Sequence, residues 1–141
     1  MDVYGNPPFV DENTPIGKFL PSQIKRTDLF KYIELELLEV QDLLKAPHSN
    51  EYGRADQAAC WALMARMYLN AEVYTGTKKY SEAITYASKV IGAGYTLKEN
   101  FSELFMADNN VNNPEVILSI NYDGQRNKSY GGLTFMIKLP L

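Results

Sequence analysis

Apolar residues recur at helical spacing in three successive segments of the chain. Leucine, isoleucine and valine return every three or four residues over 28–45, which predicts a helix with Thr27 as its N-cap. Residues 54–74 are apolar on nearly every side, which predicts a second helix packed between neighbours. A third helix is predicted over 80–91, where one apolar face is followed by two glycines that end the helix.

The segments on either side of these helices have a different pattern. Residues 1–26 contain most of the prolines, which predicts an extended arm that packs on the surface. After the helices, 101–105 is expected to form one helical turn and 109–114 a loop. Two short apolar runs, 116–120 and 134–138, predict a small C-terminal β-hairpin.

The second and third predicted helices resemble a tetratricopeptide repeat. The spacing Trp61-x2-Met64-Ala65-x2-Tyr68 fits the first helix of such a repeat, and the third predicted helix fits its second. The connection is roughly six residues longer than in the usual unit, so any antiparallel helix pair with a seam of alanines remains an alternative. In both interpretations Trp61 and Tyr68 are expected to pack in the core.

These patterns together predict a mainly α fold within a single domain. Residues 1–26 form the arm, 27–92 a tetratricopeptide-like helical region, and 93–141 a loop and the small β-hairpin. The loop between the two predicted strands, 123–132, contains glycines and is too long for a tight turn. Long loops on a rigid scaffold often carry binding groups, so this loop is the candidate site.

Composition and charge exclude several function classes. The chain has 141 residues and a formal net charge of −3, which argues against a nucleic-acid partner because phosphate binding needs a basic surface. No apolar run approaches the roughly 20 residues of a membrane-spanning helix, and the first residues do not have the pattern of an export signal. Both ends have the character of a piece excised from a longer protein.

The chain offers little for catalysis. His48 is its single histidine and lies in a polar loop, and Cys60 lies in an apolar helix where thiolate formation is disfavoured. Glu34, Glu36 and Glu39 are expected on the solvated side of the first helix rather than in a hydrolytic pair. An enzyme is therefore the least favoured class.

Two longer segments are specific enough to indicate a family. The sequence YGRADQAA over 52–59 and ARMYLNAEVYTG over 65–76 resemble the SusD/RagB family of bacterial surface glycan-binding lipoproteins. Shorter segments continue the resemblance in register over nearly the whole chain. These segments are 86–91, 95–97, 103–109, 114–118 and 130–132.

The resemblance implies a function for the longer protein. It implies a partly helical protein of several hundred residues, lipid-anchored on the outer membrane and facing outward. Such a protein captures a starch-like or other oligosaccharide, delivers it to a TonB-dependent transporter of the SusC type, and catalyses nothing. The helix pair leaves one alternative open, a tetratricopeptide adaptor that binds a peptide or partner protein.

The resemblance also implies a sugar-binding residue, Tyr130. In starch-binding members of the family a tyrosine of the matching Tyr-Gly-Gly segment belongs to an aromatic arc. The flat C–H face of a pyranose can stack on such a ring, and the following glycines leave the ring uncrowded. A tyrosine that only anchors the loop is the alternative. Secondary candidates that could hydrogen-bond sugar hydroxyls, or simply be solvated, are Asp123, Gln125, Arg126 and Asn127.

No cofactor is predicted from these residues. Asp108, Asn109 and Asn110 supply oxygen atoms of the kind that calcium binds, but calcium needs about six to eight such ligands. The resemblance implies a carboxylate near this position, where the chain has Asn110. A turn formed by Asx side chains is therefore the better interpretation, and calcium stays an expectation for the longer protein only.

Overall fold

The computed structural model describes residues 1–15, 17 and 20–121. Within them the fold is helical, as the sequence predicts, and contains no β-strand, only an isolated antiparallel bridge between Pro8 and Gln23. The helices of this described part are α1 (Arg26–Val40), α2 (Gln57–Leu69), α3 (Ala71–Thr75), α4 (Tyr80–Ile91) and a short 3-10 helix (Phe101–Phe105).

The core lies between α2 and α4, which make the most extensive helix contact in the described chain. Met64 is fully buried, and the ring of Tyr68 stacks on that of Tyr86 with centroids 5.6 Å apart. Phe30 of α1 closes the cluster at 1% exposure. Tyr68 is thus a core residue as predicted, and Trp61 packs partly buried against the same cluster.

Two predicted helix boundaries are wrong. Thr27 is not the N-cap of α1, because the helix begins at Arg26 after an extended Lys25 that makes no side-chain cap. The helix also ends at Val40, and irregular turns follow where the prediction continued it. By contrast, α4 has the predicted bounds.

The predicted helix over 54–74 is two helices. It begins later than predicted, because Asp56 takes an extended conformation and caps α2 by accepting the Ala59 amide at 3.0 Å. It is then interrupted at Asn70, whose backbone leaves the helical region (φ −97°, ψ 7°) and whose side-chain amide donates to the Arg66 carbonyl at 2.8 Å. Local side-chain bonding of this kind competes with a continuous helix.

The predicted burial of this helix on every side is also wrong for the described residues. Leu63 is 51% and Leu69 60% exposed, since α1 and α4 cover only one side of α2. Conversely, Glu34 is not on the solvated side of α1. Its carboxylate accepts Lys79 Nζ at 2.7 Å and is only 18% exposed. The Lys79 ammonium in turn lies 5.3 Å from the centre of the Tyr68 ring, which adds a cation–π contact.

The described chain on either side of the helices is irregular. In the arm, the Phe9 amide donates to the Ser22 carbonyl at 3.0 Å and the Ile24 amide to the Pro7 carbonyl at 3.1 Å, so the arm folds back on itself. Among the residues described after α4, only the predicted turn at Phe101–Phe105 is helical. Residues 116–121 are not in a strand, and 134–138 lie outside the described residues, so the hairpin stays a prediction. No described helix is long and apolar enough to span a bilayer.

Candidate functional site

The site residues predicted from sequence lie outside the described residues. They are Tyr130, Asp123, Gln125, Arg126 and Asn127. Their roles therefore stay predictions. The segment that precedes their loop, up to Asn121, borders a cleft in the described part of the molecule.

This cleft has a volume of about 790 Å³ and lies between the turn at Tyr52 and the segment 104–121. Ligand sites usually occupy roughly 300–1,000 Å³, so the cleft is large enough for a small molecule. Its polar lining is almost entirely neutral and consists of Tyr52, Ser119 and the four amides Asn109, Asn110, Asn113 and Asn121. Glu115 is the one ionisable carboxylate among the described lining residues.

Two of the amides hold the wall of the cleft in shape. The Asn109 side chain donates to the Leu104 carbonyl at 3.0 Å, and the Asn113 side chain donates to the Asn109 carbonyl at 2.8 Å. The Asn113 side-chain oxygen also accepts the Glu115 amide at 3.1 Å. The last bond is an Asx turn, but it lies after the predicted positions 108–110, where the turn is closed by the Val111 backbone amide donating to the Asp108 carbonyl at 2.9 Å.

Glu115 fixes the same wall to the segment after α4. Its carboxylate accepts the Lys98 backbone amide at 3.0 Å, and Lys98 Nζ lies 2.7 Å from the carboxylate of Glu103. The hydrogen bond from Lys98 lowers the pKa of Glu103 below its ordinary value. Glu115 is therefore a structural acceptor in this arrangement.

On the opposite side, a glycine permits a close approach. Gly53 follows Tyr52 in a left-handed conformation (φ +80°), and a Cβ at this position would lie 2.1 Å from Nδ2 of Asn121. Glycine is the residue that allows both the backbone conformation and the contact. Ser119 Oγ donates to the side-chain oxygen of Asn121 at 2.9 Å and so fixes this amide further.

The turn that carries Tyr52 is anchored from behind by Asp56. This carboxylate is 4% exposed, and besides capping α2 it accepts the His48 amide at 3.1 Å and the Tyr95 hydroxyl at 3.0 Å. The His48 ring stacks on Tyr95 with centroids 4.0 Å apart. Desolvation, together with the bond to Asp56, raises the pKa of Tyr95 to about 12.

The described residues do not form a catalytic or metal-binding constellation. His48 is committed to this packing, with Nε2 3.1 Å from the Ala93 carbonyl oxygen. Cys60 is buried, and desolvation raises the pKa of its thiol. No group of three His, Cys, Asp or Glu side chains in the described chain is placed to hold a metal ion. Among the described lining residues of the cleft, the amides are neutral and Glu115 is the single carboxylate. That is too few carboxylates for a calcium site.

The sequence prediction missed Tyr52 as a cleft residue. Tyr52 was visible only as the first residue of the Tyr-Gly-Arg segment that carries the family resemblance. A tyrosine directly before a glycine in a polar loop is a signal for an exposed ring on a tight turn, and 60% of Tyr52 is exposed. The approach of Asn121 to Gly53 connects residues 68 positions apart and could not be obtained from local patterns.

Known proteins include relatives of this chain in sequence and in structure. No family model matches the chain. Over 140 residues it is 46% identical to the starch-binding protein SusD of Bacteroides thetaiotaomicron, a match that covers 97% of this chain and 25% of that protein. The chain therefore spans about a quarter of the length of this curated relative.

A solved structure has the same fold. The chain superposes on a SusD-like protein from Bacteroides fragilis with a TM-score of 0.67 and 22% identity, covering 84% of this chain and 23% of that one. At this identity the structural likeness establishes the fold alone. Taken with the 46% identity to SusD, it shows that the chain belongs to the SusD family.

Proposed function

We propose that this chain is part of a non-catalytic protein that binds starch-like or other oligosaccharides. The observation that carries the proposal is the 46% identity over 140 residues with a protein named for starch binding. The amide-rich cleft supports it, because side-chain amides supply both donors and acceptors for sugar hydroxyl groups.

Within this function we propose that Tyr130 stacks on a pyranose ring. Aromatic rings bind the apolar face of a sugar while neighbouring polar groups fix its orientation. Asp123, Gln125, Arg126 and Asn127 occupy the same loop in the sequence and would supply those hydrogen bonds.

We further propose the cellular setting that the family implies. The full-length protein is held at the outer-membrane surface by a lipid anchor and passes the oligosaccharide to a TonB-dependent transporter of the SusC type. Affinity purification of the tagged full-length protein from detergent-solubilised outer membranes tests this part. This part is contradicted if the protein is purified without any transporter. It is also contradicted if the protein is absent from the outer membrane.

Affinity gel electrophoresis of the full-length protein in gels containing amylopectin tests the binding function. We expect strong retardation of the wild type, clearly reduced retardation for Tyr130→Ala, and wild-type behaviour for Tyr4→Ala. Tyr4 is a matched control because it is a 71% exposed tyrosine on the N-terminal arm. If amylopectin and a panel of other polysaccharides all fail to retard the wild type, the glycan function is wrong.

Two assays address the remaining function classes. Release of reducing sugar from a bound glycan by the purified protein would show that the non-catalytic assignment is wrong. The adaptor alternative is supported by an apolar groove of about 400 Å³ between α2 and α4, lined by Ala65, Leu69, Ala83 and Ile84 among others. A partner protein that still binds after truncation at Ile91 would favour that alternative.

A further inference from the structure

Tyr52 and Asn110 stand out among the side chains lining the cleft between the Tyr52 turn and the 104–121 segment. Within the residues that the structure describes, neither side chain makes a hydrogen bond or ring contact, and Tyr52 is 60% exposed. Asn109, Asn113 and Glu115 are instead bonded to the surrounding backbone. The cleft thus combines a fixed wall with two unengaged polar side chains.

The chemistry of these groups selects a class of ligand. A phenol ring offers an apolar face with a hydroxyl at its edge, and an amide offers one acceptor and two donors. Glu115, the only carboxylate among the described lining residues, already accepts a backbone amide. A neutral ligand with an apolar face and several hydroxyl groups fits this set better than a charged one, and pyranose sugars are such ligands.

The turns that carry these groups are held in place by hydrogen bonds. Asp56 anchors the base of the turn that carries Tyr52, and Asn113 bridges the two sides of the turn that carries Asn110. A turn whose backbone is already ordered loses less conformational entropy when a ligand binds. This arrangement distinguishes the cleft from a patch of exposed polar loops.

We infer that this cleft is a second carbohydrate-binding site, in which Tyr52 stacks on a pyranose ring and Asn110 hydrogen-bonds its hydroxyl groups. Its defining residues come from the Tyr52 turn and the 104–121 segment, which are separate in the sequence from the loop that carries Tyr130. The inference rests on the proposed oligosaccharide-binding function, which it extends to a second position on the protein.

Isothermal titration of the full-length protein with maltoheptaose tests the inference. We expect Tyr52→Ala to lower the affinity roughly three- to tenfold, the range for loss of one aromatic stacking contact. Tyr52→Phe should keep most of the affinity because it keeps the ring, and Asn110→Ala should lower it by a smaller factor. Tyr4→Ala serves as the exposed control, and thermal unfolding of each variant verifies the fold.

The outcomes separate this inference from the proposed function. If Tyr52→Ala binds like the wild type while Tyr130→Ala does not, the second site is wrong and the proposed function stands. The second site is equally wrong if Tyr52→Ala lowers the melting temperature and leaves affinity unchanged, because the cleft then packs against another part of the protein. Equal loss in Tyr52→Phe and Tyr52→Ala would overturn stacking. A wild type that binds no glycan would overturn both proposals.

Discussion

Two regions of this chain are stabilised in different ways. The helical region contains α1 to α4, and the cleft region is the segment 93–121. In the helical core, Met64 of α2 and Ala71 of α3 are fully buried, and the rings of Tyr68 and Tyr86 stack. In 93–121 no residue is buried, and side-chain bonds to the backbone hold the chain instead. In this chain, a scaffold held by hydrophobic burial thus lies beside a cleft wall held by polar bonds.

The two regions should therefore respond differently to the same kind of change. Removal of apolar volume is costly where side chains are close-packed and nearly harmless where they are exposed. Loss of a hydrogen bond has a smaller effect, but it alters local shape, and local shape is what a binding site depends on. Each prediction below tests one part of this difference.

The largest expected effect is that of Met64→Ala in the helical core. Met64 is fully buried, and truncation of a buried methionine costs about 2–5 kcal/mol through lost burial and the cavity left behind. Urea denaturation of the purified chain, followed by circular dichroism, measures the change. Leu63→Ala is the matched control on the next position of α2, where half of the side chain is exposed, and equal losses in the two variants would contradict the assigned core.

The next largest effect is expected for Asp56→Ala, at the junction of the two regions. This substitution removes the cap of α2 and leaves the His48 amide and the Tyr95 hydroxyl without their acceptor. We expect a loss of about 2 kcal/mol in the free energy of unfolding. Asp56→Asn keeps one acceptor oxygen and should recover part of that loss. If Asp56→Ala is as stable as the wild type, the carboxylate does not join the regions.

Sequence predicted the helical region better than the cleft region for a physical reason. The bounds of α4 and the core position of Tyr68 follow from helical periodicity, which is local. The break at Asn70 and the start of α2 at Asp56 depend on single side-chain bonds that periodicity does not report. The pairing of Glu34 with Lys79 was missed because the two residues lie 45 positions apart.

The same reasoning explains the outcome for the candidate site. Composition correctly identified 109–114 as a loop, because Asn, Asp and Pro favour turns wherever they occur. Composition did not identify Tyr52 as a cleft residue, because its place in the cleft depends on which distant segment lies opposite it. The predicted residues around Tyr130 lie outside the described residues, so their prediction stays as it was.

A smaller effect is expected from a pair of glycine substitutions, Gly53→Ala and Gly76→Ala. Both glycines have nearly the same positive φ, +80° and +78°, so the backbone penalty of about 1–2 kcal/mol should be equal. Only at Gly53 would the new Cβ meet another residue, Asn121, and at Gly76 nothing lies within 4 Å.

The pair therefore isolates the contact with Asn121 in the cleft. We expect a larger loss of stability for Gly53→Ala in urea denaturation, because the Asn121 amide must move out of its bond with Ser119 to make room. Only Gly53→Ala should shift the amide resonances of residues 119–121 in two-dimensional NMR. Equal NMR spectra around Asn121 in the two variants would show that this segment does not lie against the Tyr52 turn in solution.

The smallest expected effect is on the alkaline titration of tyrosine absorbance. The pKa of Tyr95 is raised to about 12 by desolvation and by its bond to Asp56, against an ordinary value of 10.0. Because the folded state favours the neutral phenol, this contribution to stability is complete below pH 10 and is lost as the pH rises towards 12. The difference between wild-type and Tyr95→Phe titrations should therefore contain one tyrosine that ionises near pH 12, out of ten in the chain. A difference curve centred near pH 10 would mean that Tyr95 does not reach Asp56, and the cleft region would then lack its link to the helical region at this point.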